Sequence, residues 1–562
     1  MPLPGSAVAL ATSAERASLW SPDWQWVGSL GDLAGVVRDM EAAARPRWTW
    51  WSAAPDVVPV VSARVHLARA WDIAESHRLQ HGGWSAWPGL AWASAHRLDR
   101  ATIPAAATDD LFGFASAAMD SEDPDAVVLS SGHLRPDAGT HRWLTTDDRL
   151  QGWARAAYEC RIRQVEGRSV REIATVHSES AAALLCVELE RDGLPIDRPE
   201  VERLIAASAG PRPATADEAL AARRDRDRRV LDLVPGAGSV DLRNPARVLE
   251  LLASLGITVP NTRKWVLDAY REVHPVVPAL LAWRAEERIT TTYGYGWLDA
   301  HVGPDDRLRG RWTASDGAAG RMTAQNGLHN LPASLRPAVA AEGEQVFVRA
   351  DLGQIEPRVL AAVSGDPTFA AATRADDLYA PVAERLRVER PVAKVAVLAA
   401  MYGQRSGAAG EALAGLERAY PVAMAHLDRA YAAGVRGEPV HTFGGRLVRT
   451  DYGVDTTPVG QDPALDAGRG RFARNAVIQG SAAELFKAWA ATVRATTRDL
   501  GAAIVLCLHD ELLIQVPEGH ATETVIRVGI ALDDAARRWT GSREVRFVTD
   551  TSVVRRWSEA KS

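Results

Sequence analysis

The spacing of apolar residues predicts helices through the middle of the chain. Residues 178–190 are largely apolar, and a turn at residues 192–193 separates them from a second helix that begins near Pro199. Apolar residues recur at helical spacing in 244–255 and again in 276–288. We therefore predict a helical domain in this part of the chain.

Short β-branched and aromatic runs characterise the chain beyond about residue 300, where the pattern becomes mixed. One run, at residues 346–348, ends at Asp351. Two more, at 504–508 and 512–516, are joined by a short acidic segment that contains Asp510, and they predict a β-hairpin. Because both aspartates lie at strand ends, they can meet on one sheet.

A helix between these strands carries a stripe of chemically distinct side chains. Arg390, Lys394, Leu398 and Tyr402 recur every four residues, and Gly403 follows them. Steps of four residues drift only ~40° around a helix, so the four side chains share one face. Cations at the positive end of the helix dipole are unfavourable, which suggests that an anion binds there. Taken alone, the helix fits a functional face and an ordinary solvated face equally well.

Tryptophan marks the first 100 residues, which hold ten of the 19 tryptophans and no lysine. This composition predicts a separate N-terminal domain. Packing in the core and at its rim is the favoured role for these side chains. A platform on which the bases of a single strand stack is the alternative.

The overall composition is that of a multidomain globular protein, with 562 residues of which 47% are hydrophobic and 24% charged. It excludes a disordered chain and a small disulfide scaffold. The net charge of −6 neither requires nor excludes nucleic acid, because a basic groove is a local property. Only four of the 65 basic residues are lysines, so Lys394 within the stripe is an informative position.

Several expectations rest on features that the sequence does not show. No apolar run approaches the ~18 residues of a membrane span, and no basic residue precedes Arg16, so we expect neither a membrane segment nor a signal peptide. Cys160, Cys186 and Cys507 lie far apart, which predicts no disulfide and no zinc site. We expect a cytoplasmic protein, of a bacterial cell or nucleoid or of phage origin.

Three motifs in order carry a resemblance to a known family. The segment from Asp351 to Arg358 (Asp-Leu-Gly-Gln-Ile-Glu-Pro-Arg) resembles motif A of the family A DNA polymerases, the DNA polymerase I type. The stripe at 390–403 resembles motif B, and residues 509–511 (His-Asp-Glu) resemble motif C. The resemblance runs from about Ala182 to the C-terminus.

The resemblance implies an α/β multidomain right-hand polymerase with palm, fingers and thumb, preceded by a ribonuclease H-like domain of the exonuclease type. The expected domains are an inactive exonuclease-like domain at 1–175, a helical thumb at 176–300, a palm at 301–365 and 501–562, and fingers with connecting helices at 366–500. The expected partners are primer–template DNA and deoxynucleoside triphosphates, and the expected protein is a monomer.

The resemblance also implies template-directed addition of deoxynucleotides to a primer 3′ hydroxyl by two-metal-ion nucleotidyl transfer. Asp351, Asp510 and the adjoining Leu352 are the expected metal site, for two Mg²⁺ ions with Mn²⁺ as a substitute. Lys394 is the expected catalytic acid for the leaving pyrophosphate, a task for which the very high pKa of arginine is unsuited.

Other site residues come from positions that match the family's motifs. Glu356 is the expected sugar gate, which excludes a ribose 2′-hydroxyl and contacts Tyr402. The expected nucleotide-binding residues are Arg390, Lys394, Leu398, Tyr402, Gln354, Glu356 and Tyr379. The expected DNA-binding residues are Arg321, Asn330, Arg446, Asn475, Gln479, His509 and Glu511.

The chain departs from the family pattern at Leu352-Gly353, at Pro357 and at Leu398, where the family has an aromatic residue on the finger helix. Leucine cannot stack on a base as a flat ring does, so base positioning should depend more on shape.

The N-terminal domain is expected to lack proofreading. Asp72 with the residues that follow is similar to the second exonuclease motif, but the Asp-x-Glu of the first motif is not evident. Asp39 and Glu41 lie in a helical pattern that points them ~160° apart. We expect a vestigial exonuclease fold.

Two other functions stay open. One is a single-subunit RNA polymerase, against which Glu356 within Gln-Ile-Glu counts. The other is a catalytically silent DNA-binding or scaffolding descendant of a polymerase, against which the combination of Asp351, Asp510 and the cationic stripe counts.

Overall fold

The computed structural model describes residues 2–82, 123–127, 135, 137–238, 240–403, 409–450 and 459–560. The chain divides into two compact units. One comprises Met1–Asp192, Arg311–Ala324 and Glu344–Val553, and the other comprises Gly193–Gly310, Gln325–Gly343 and Val554–Ser562. The domain boundary expected between residues 175 and 176 falls inside one continuous helix, Val170–Asp192. No helix in the described part of the chain has the length and apolar character needed to cross a membrane.

A five-stranded mixed sheet forms the centre of the N-terminal domain. Its strands β1 to β5 span Ala7–Thr12, Arg16–Ser21, Trp24–Ser29, Arg47–Trp50 and Arg69–Asp72. Their order is β3-β2-β1-β4-β5, with antiparallel pairs on one side of β1 and parallel pairs on the other. This arrangement agrees with the ribonuclease H-like domain expected here. Its helices α1 to α6 span Leu30–Ala43, Ala53–Asp56, Val58–Ser62, Ile73–His81, Asp147–Val165 and Val170–Asp192.

In the rest of the chain, after helix α6, strands and helices alternate less regularly. Strands β6 to β15 span Leu194–Pro195, Arg307–Leu308, Trp312–Asp316, Arg321–Ala324, Gln345–Leu352, Val440–His441, Leu447–Val448, Ala503–Leu508, Glu511–Pro517 and Thr549–Val554. Helices α7 to α20 span Arg198–Ala209, Ala216–Leu231, Pro245–Ser254, Lys264–Asp268, Val276–Thr292, Tyr295–His301, Ile355–Ser364, Pro367–Ala372, Tyr379–Leu386, Arg390–Tyr402, Ala409–Ala419, Pro421–Val435, Pro463–Thr496 and Ala521–Thr540.

Tryptophan side chains fill the N-terminal core. Trp48, Trp50 and Trp71 are fully buried, and Trp51 stacks on Trp153 with ring centroids 4.2 Å apart. Buried rings cannot stack on an incoming base, so packing is the role of these five side chains. Three of the ten N-terminal tryptophans fall among residues 83–122, outside the described part of the chain.

A four-stranded sheet, in the order β13-β14-β10-β15, lies in the two segments expected to form the palm. Strands β10 and β14 are antiparallel, and their register sets Gln345 opposite Pro517 and Asp351 opposite Glu511. The hairpin β13–β14 is the one that the sequence predicts. Long helices α19 and α20 pack together beside this sheet and bury Trp489, whose indole donates to the carbonyl of Val528.

Helices α13 to α18 share an apolar core with α19, and α14 to α18 lie in the segment expected to form the fingers. Helix α16, which carries the stripe, turns Ala393, Ala396 and Val397 into this core. The helix ends where Gly403 adopts a left-handed conformation with φ of 70°, which glycine reaches without steric cost. The second unit has its own core, in which α8 to α11 pack around residues such as Leu252 and Leu280.

A buried cluster of charges lies between helices α6 and α19 and the hairpin β8–β9. The Lys487 ammonium donates to Glu179 Oε2 at 2.5 Å and to the carbonyl of Gly320 at 2.7 Å, and the Arg446 guanidinium lies 2.8 Å from the same carboxylate. Burial favours a neutral Glu179, but the two cations outweigh it and hold the pKa of Glu179 below its ordinary value. Since Gly320 directly precedes Arg321, this cluster supports the hairpin that presents Arg321.

Replacing Glu179 with glutamine is expected to lower the free energy of unfolding by about 3–5 kcal/mol, because two buried cations would lose their carboxylate. Urea unfolding followed by tryptophan fluorescence measures this change. The matched control is Glu159→Gln, since Glu159 pairs with Arg155 on an exposed helix face and should contribute less than about 1 kcal/mol. Equal losses in the two variants would show that the buried cations do not depend on Glu179.

Candidate functional site

The edge of the palm sheet brings the two strand-end aspartates together. Asp351 lies near the end of β10, and Asp510 lies in the tight turn between β13 and β14. The backbone amide of Leu352 donates to the carbonyl of Asp510 at 2.9 Å. His509 makes this turn possible by adopting a left-handed φ of 53°. The two aspartates therefore occupy neighbouring positions, as their strand-end locations predict.

An arginine that the sequence reasoning missed lies beneath this edge. Arg349 is 1% exposed, and its guanidinium contacts the carboxylates of Asp351, Glu511 and Asp550. Burial alone would lower the pKa of Arg349, but these carboxylates raise it above its ordinary value. A signal was available, because an arginine inside the apolar run Val-Phe-Val-Arg-Ala requires a buried partner.

The carboxylate of Glu356 links the hairpin β8–β9, which carries Arg321, to helix α16, which carries Tyr402. Glu356 on α13 accepts a hydrogen bond from Arg321 at 2.8 Å through one oxygen and from the Tyr402 hydroxyl at 3.0 Å through the other. Gln479 also contacts the Tyr402 hydroxyl. Burial and then Glu356 raise the pKa of Tyr402. The expected contact between Glu356 and Tyr402 is present.

These side chains border a cavity of about 300 Å³. Its lining contains most of the predicted nucleotide residues and three of the predicted DNA residues. The lining residues are Arg321, Gln354, Ile355, Glu356, Pro357, Tyr379, Leu398, Tyr402, Gln479, Ala482, Ala483, His509 and Asp510. Burial and then the nearby Glu356 raise the pKa of Tyr379 to about 12, so its hydroxyl stays protonated at neutral pH.

Asp377, a residue without a predicted role, binds the side chain of Arg390 at the N-terminal end of the stripe. Its carboxylate accepts hydrogen bonds from Arg390, from Gln354 Nε2 at 3.1 Å and from the Tyr379 amide at 3.2 Å. The bond from Arg390 contributes most to lowering the pKa of Asp377, and the bond from the Tyr379 amide and the charges of Arg390 and Arg358 lower this pKa further. Arg390 is thus held in place, while Lys394 on the next turn is exposed.

Arg358 connects motif A with the segment that carries Asp377. Its fully buried guanidinium donates to the carbonyls of Gly353, Thr373, Ala375, Asp376 and Arg546, at 2.6–3.1 Å. It also donates to the side chain of Gln354 at 3.3 Å. With no carboxylate among these partners, burial lowers the pKa of Arg358 to about 10.

Two predicted DNA contacts are wrong in this structure. Arg446 is 1% exposed and belongs to the buried cluster around Glu179, so it cannot face a nucleic acid. Glu511 is 7% exposed and is held by Arg349. Both errors arise because a short motif does not reveal whether a charged side chain has a partner from a distant segment.

The other predicted DNA residues are more accessible. Asn330 is exposed in the second unit, where its backbone carbonyl accepts from Arg288 and Tyr293. Asn475 lies one helical turn before Gln479 on α19, and its Oδ1 has no hydrogen-bond partner in the described residues. Arg321 lines the cavity but is paired with Glu356. Direct contact of these residues with DNA stays a prediction.

Asp72 plays a structural part in the N-terminal domain. Its carboxylate caps α4 by accepting from the Glu75 amide at 2.9 Å, and it also accepts from the Trp50 indole and the Ala53 amide, both at 2.8 Å. Burial raises the pKa of Asp72 to about 7. Strand β1 carries no carboxylate. In the part of the chain that the structure describes, no group of three or more His, Cys, Asp or Glu side chains could hold a metal ion.

Comparisons with known proteins identify the family that this chain matches and two of its relatives. The model of the family described as DNA polymerase family A matches residues 247–559, more than half of the chain. The thermostable DNA polymerase I of Thermus filiformis is 29% identical over 331 residues, which cover 54% of this chain and 38% of that protein. DNA polymerase I of Chloroflexus aurantiacus is 30% identical over 318 residues, which cover 51% of this chain and 32% of that protein. The chain thus spans about a third of the length of these relatives.

A solved structure resembles the chain over nearly its whole length. It is the POL domain of Pol1 from M. smegmatis, in complex with DNA primer-template and dNTP, with a TM-score of 0.67 and 20% identity. The alignment covers 99% of this chain and 97% of that one. At this identity the likeness establishes the fold, and it includes the N-terminal domain.

Replacing Arg358 with methionine is expected to lower the free energy of unfolding by roughly 3 kcal/mol, because several buried carbonyls would lose their donor. The amides of Leu378 and Tyr379 should also exchange hydrogen faster, since Gln354 and Asp377 would lose their support. Chemical denaturation and exchange mass spectrometry measure the two effects. Arg203→Met, at an exposed pair with Glu200, is the control and should leave both unchanged. Unaltered exchange in 373–379 would contradict the role of Arg358.

Proposed function

The chain belongs to DNA polymerase family A, and on that premise we propose that it extends a primer 3′ hydroxyl with deoxynucleotides copied from a DNA template. The observation that carries this proposal is the juxtaposition of Asp351 and Asp510 at one sheet edge, beside a cavity that Glu356 and Tyr402 border. A silent scaffolding protein would have no need to keep these groups together.

The donor set at this edge fits Mg²⁺, because hard carboxylate oxygens are its preferred protein ligands and few are needed. Asp351 and Asp510 would hold two such ions, with Mn²⁺ as a substitute. When bound, the ions would lower the pKa of the primer hydroxyl and neutralise the triphosphate and the leaving pyrophosphate.

The finger helix would receive the triphosphate. Arg390 and Lys394 lie in its first two turns and are exposed. Arg390 would exchange Asp377 for phosphate oxygens, which suit its planar fork. Lys394 would donate a proton to the leaving pyrophosphate. Leu398 borders the cavity and would position the base by shape.

Glu356 would select the sugar. Its two oxygens are bound by Arg321 and Tyr402, so the carboxylate is fixed at the cavity wall rather than mobile. A fixed carboxylate would crowd a ribose 2′-hydroxyl. This arrangement favours a DNA polymerase over an RNA polymerase.

We also propose that the chain does not proofread. Asp72, the carboxylate in the segment that resembles the second exonuclease motif, is occupied by one indole and two backbone amides. Metal-dependent removal of a mismatched 3′ end would contradict this proposal.

Extension of a labelled primer on a longer DNA template with Mg²⁺ tests the polymerase function. Template-complementary growth with deoxynucleotides is expected, and Asp510→Asn should slow it by at least about a hundredfold, because a metal ligand is lost. Asp499→Asn, at an exposed pair with Arg527, is the control and should extend normally. Folded protein that binds DNA without extending it would favour the silent descendant.

Glu356→Ala tests the sugar gate. Removing the carboxylate should raise incorporation of ribonucleotides relative to deoxynucleotides by at least about tenfold, because the steric exclusion of the 2′-hydroxyl is lost. Single-nucleotide insertion kinetics with both sugars measure the ratio. Glu384→Ala, an exposed glutamate on finger helix α15, is the matched control. An unchanged ratio in Glu356→Ala would remove Glu356 from the gate.

A further inference from the structure

Carboxylates from three neighbouring strands converge on one buried guanidinium beneath the palm edge. Arg349 and Asp351 lie two residues apart on β10, so their side chains share one face of the sheet. Glu511 is the cross-strand partner of Asp351 on β14, and Asp550 comes from β15 on the other side of β10. The register of the sheet therefore places all three carboxylates around Arg349.

The contacts of Arg349 use its planar fork. Its Nε donates to Glu511 Oε2 at 2.9 Å, and one terminal nitrogen donates to Asp550 Oδ2 at 3.1 Å. The other terminal nitrogen binds Asp351 Oδ2 and lies 2.8 Å from Glu511 Oε2. An unpaired buried arginine is very unfavourable, so Arg349 requires carboxylate partners, and its contacts orient the bound oxygens of Asp351 and Glu511.

The three partners differ in their access to solvent. The Glu511 side chain is 8% exposed, whereas that of Asp351 is 23% and that of Asp550 is 79% exposed. Glu511 therefore contacts Arg349 and is nearly inaccessible to solvent, although it directly follows Asp510 in the chain. Asp351 is thus more accessible than Glu511, although both carboxylates contact Arg349.

We propose that Arg349 is a positioning residue that reserves Asp351 and Asp510 for divalent cations by binding Glu511 and Asp550 and orienting Asp351. This inference rests on the proposed function of the same site. The positive charge of Arg349 also makes the electrostatic potential at the edge less negative. Divalent cations therefore bind to Asp351 and Asp510 less tightly than they would without Arg349. Without it, Glu511 and Asp550 would add uncompensated charge and the edge would take up cations in a different arrangement.

Binding of Mn²⁺ to the full chain without nucleotide or DNA, followed by electron paramagnetic resonance, provides a readout separate from activity. The part of the binding that Asp510→Asn abolishes defines the site. Arg349→Met should bind Mn²⁺ there at least about fivefold more tightly, because a cation in contact with Asp351 is removed. The same variant should extend a primer at least about tenfold more slowly, because Asp351 is no longer oriented.

The double variant Arg349→Met/Glu511→Gln removes one charge of each sign and should return the Mn²⁺ affinity to within about threefold of the parent value. Arg349→Lys keeps the charge but loses the fork, so Mn²⁺ affinity should be nearly unchanged while extension slows. Glu511→Gln alone should weaken Mn²⁺ binding only by about the fivefold expected from one removed charge, because Glu511 is not a ligand. If Arg349→Met does not fold, the lysine and Glu511 variants test the same proposal.

Weaker or equal Mn²⁺ binding in folded Arg349→Met would overturn the role of Arg349 and leave the polymerase function standing. A large loss of Mn²⁺ binding in Glu511→Gln would do the same, since Glu511 would then be a ligand. Absence of any binding that depends on Asp510, together with absence of extension, would instead contradict the proposed function itself.

Discussion

The antiparallel pairing of β10 with β14 is the constraint on which the site depends. It sets Asp351 opposite Glu511, and the bond from the Leu352 amide to the Asp510 carbonyl adds one more contact beyond the ladder. Because side chains alternate between the faces of a strand, a slip of one residue would send Arg349 and Asp351 to the opposite face. The proposed metal site and its counter-charge would then be lost together, so the register controls both geometry and electrostatics.

The finger side of the cavity depends on this edge through two residues of motif A. Gln354 adopts a left-handed conformation with φ of 53° between β10 and α13, and its side chain binds Leu378 and Asp377. Arg358, one turn later, ties the segment around Thr373 to the palm. Since Asp377 in turn holds Arg390, the position of this cation, which is proposed to bind the triphosphate, is set by hydrogen bonds that begin at the end of strand β10.

Much of the fold and of the site could be predicted from the chain itself. The strand-end aspartates, the hairpin, the stripe on α16 and the pairing of Glu356 with Tyr402 followed from spacing and from motifs in order. The predictions failed where a charged side chain finds its partner far along the chain. Arg446 is buried against Glu179, and Glu511 is held by Arg349. The apolar run around Arg349 indicates that this arginine needs a buried partner, but no local pattern identifies the partner in either pair.

The sequence by itself determined the residue types at the site, their order and their local periodicity, because these depend on covalent spacing and on the few conformations open to short segments. Tertiary structure alone decided which carboxylates face the cavity and which are neutralised. Arg349 can meet Asp550 only after strands 201 positions apart have paired in one sheet. A charge acts through its nearest partners in space, and for the buried groups of this protein those partners are set by the packing of distant strands and helices.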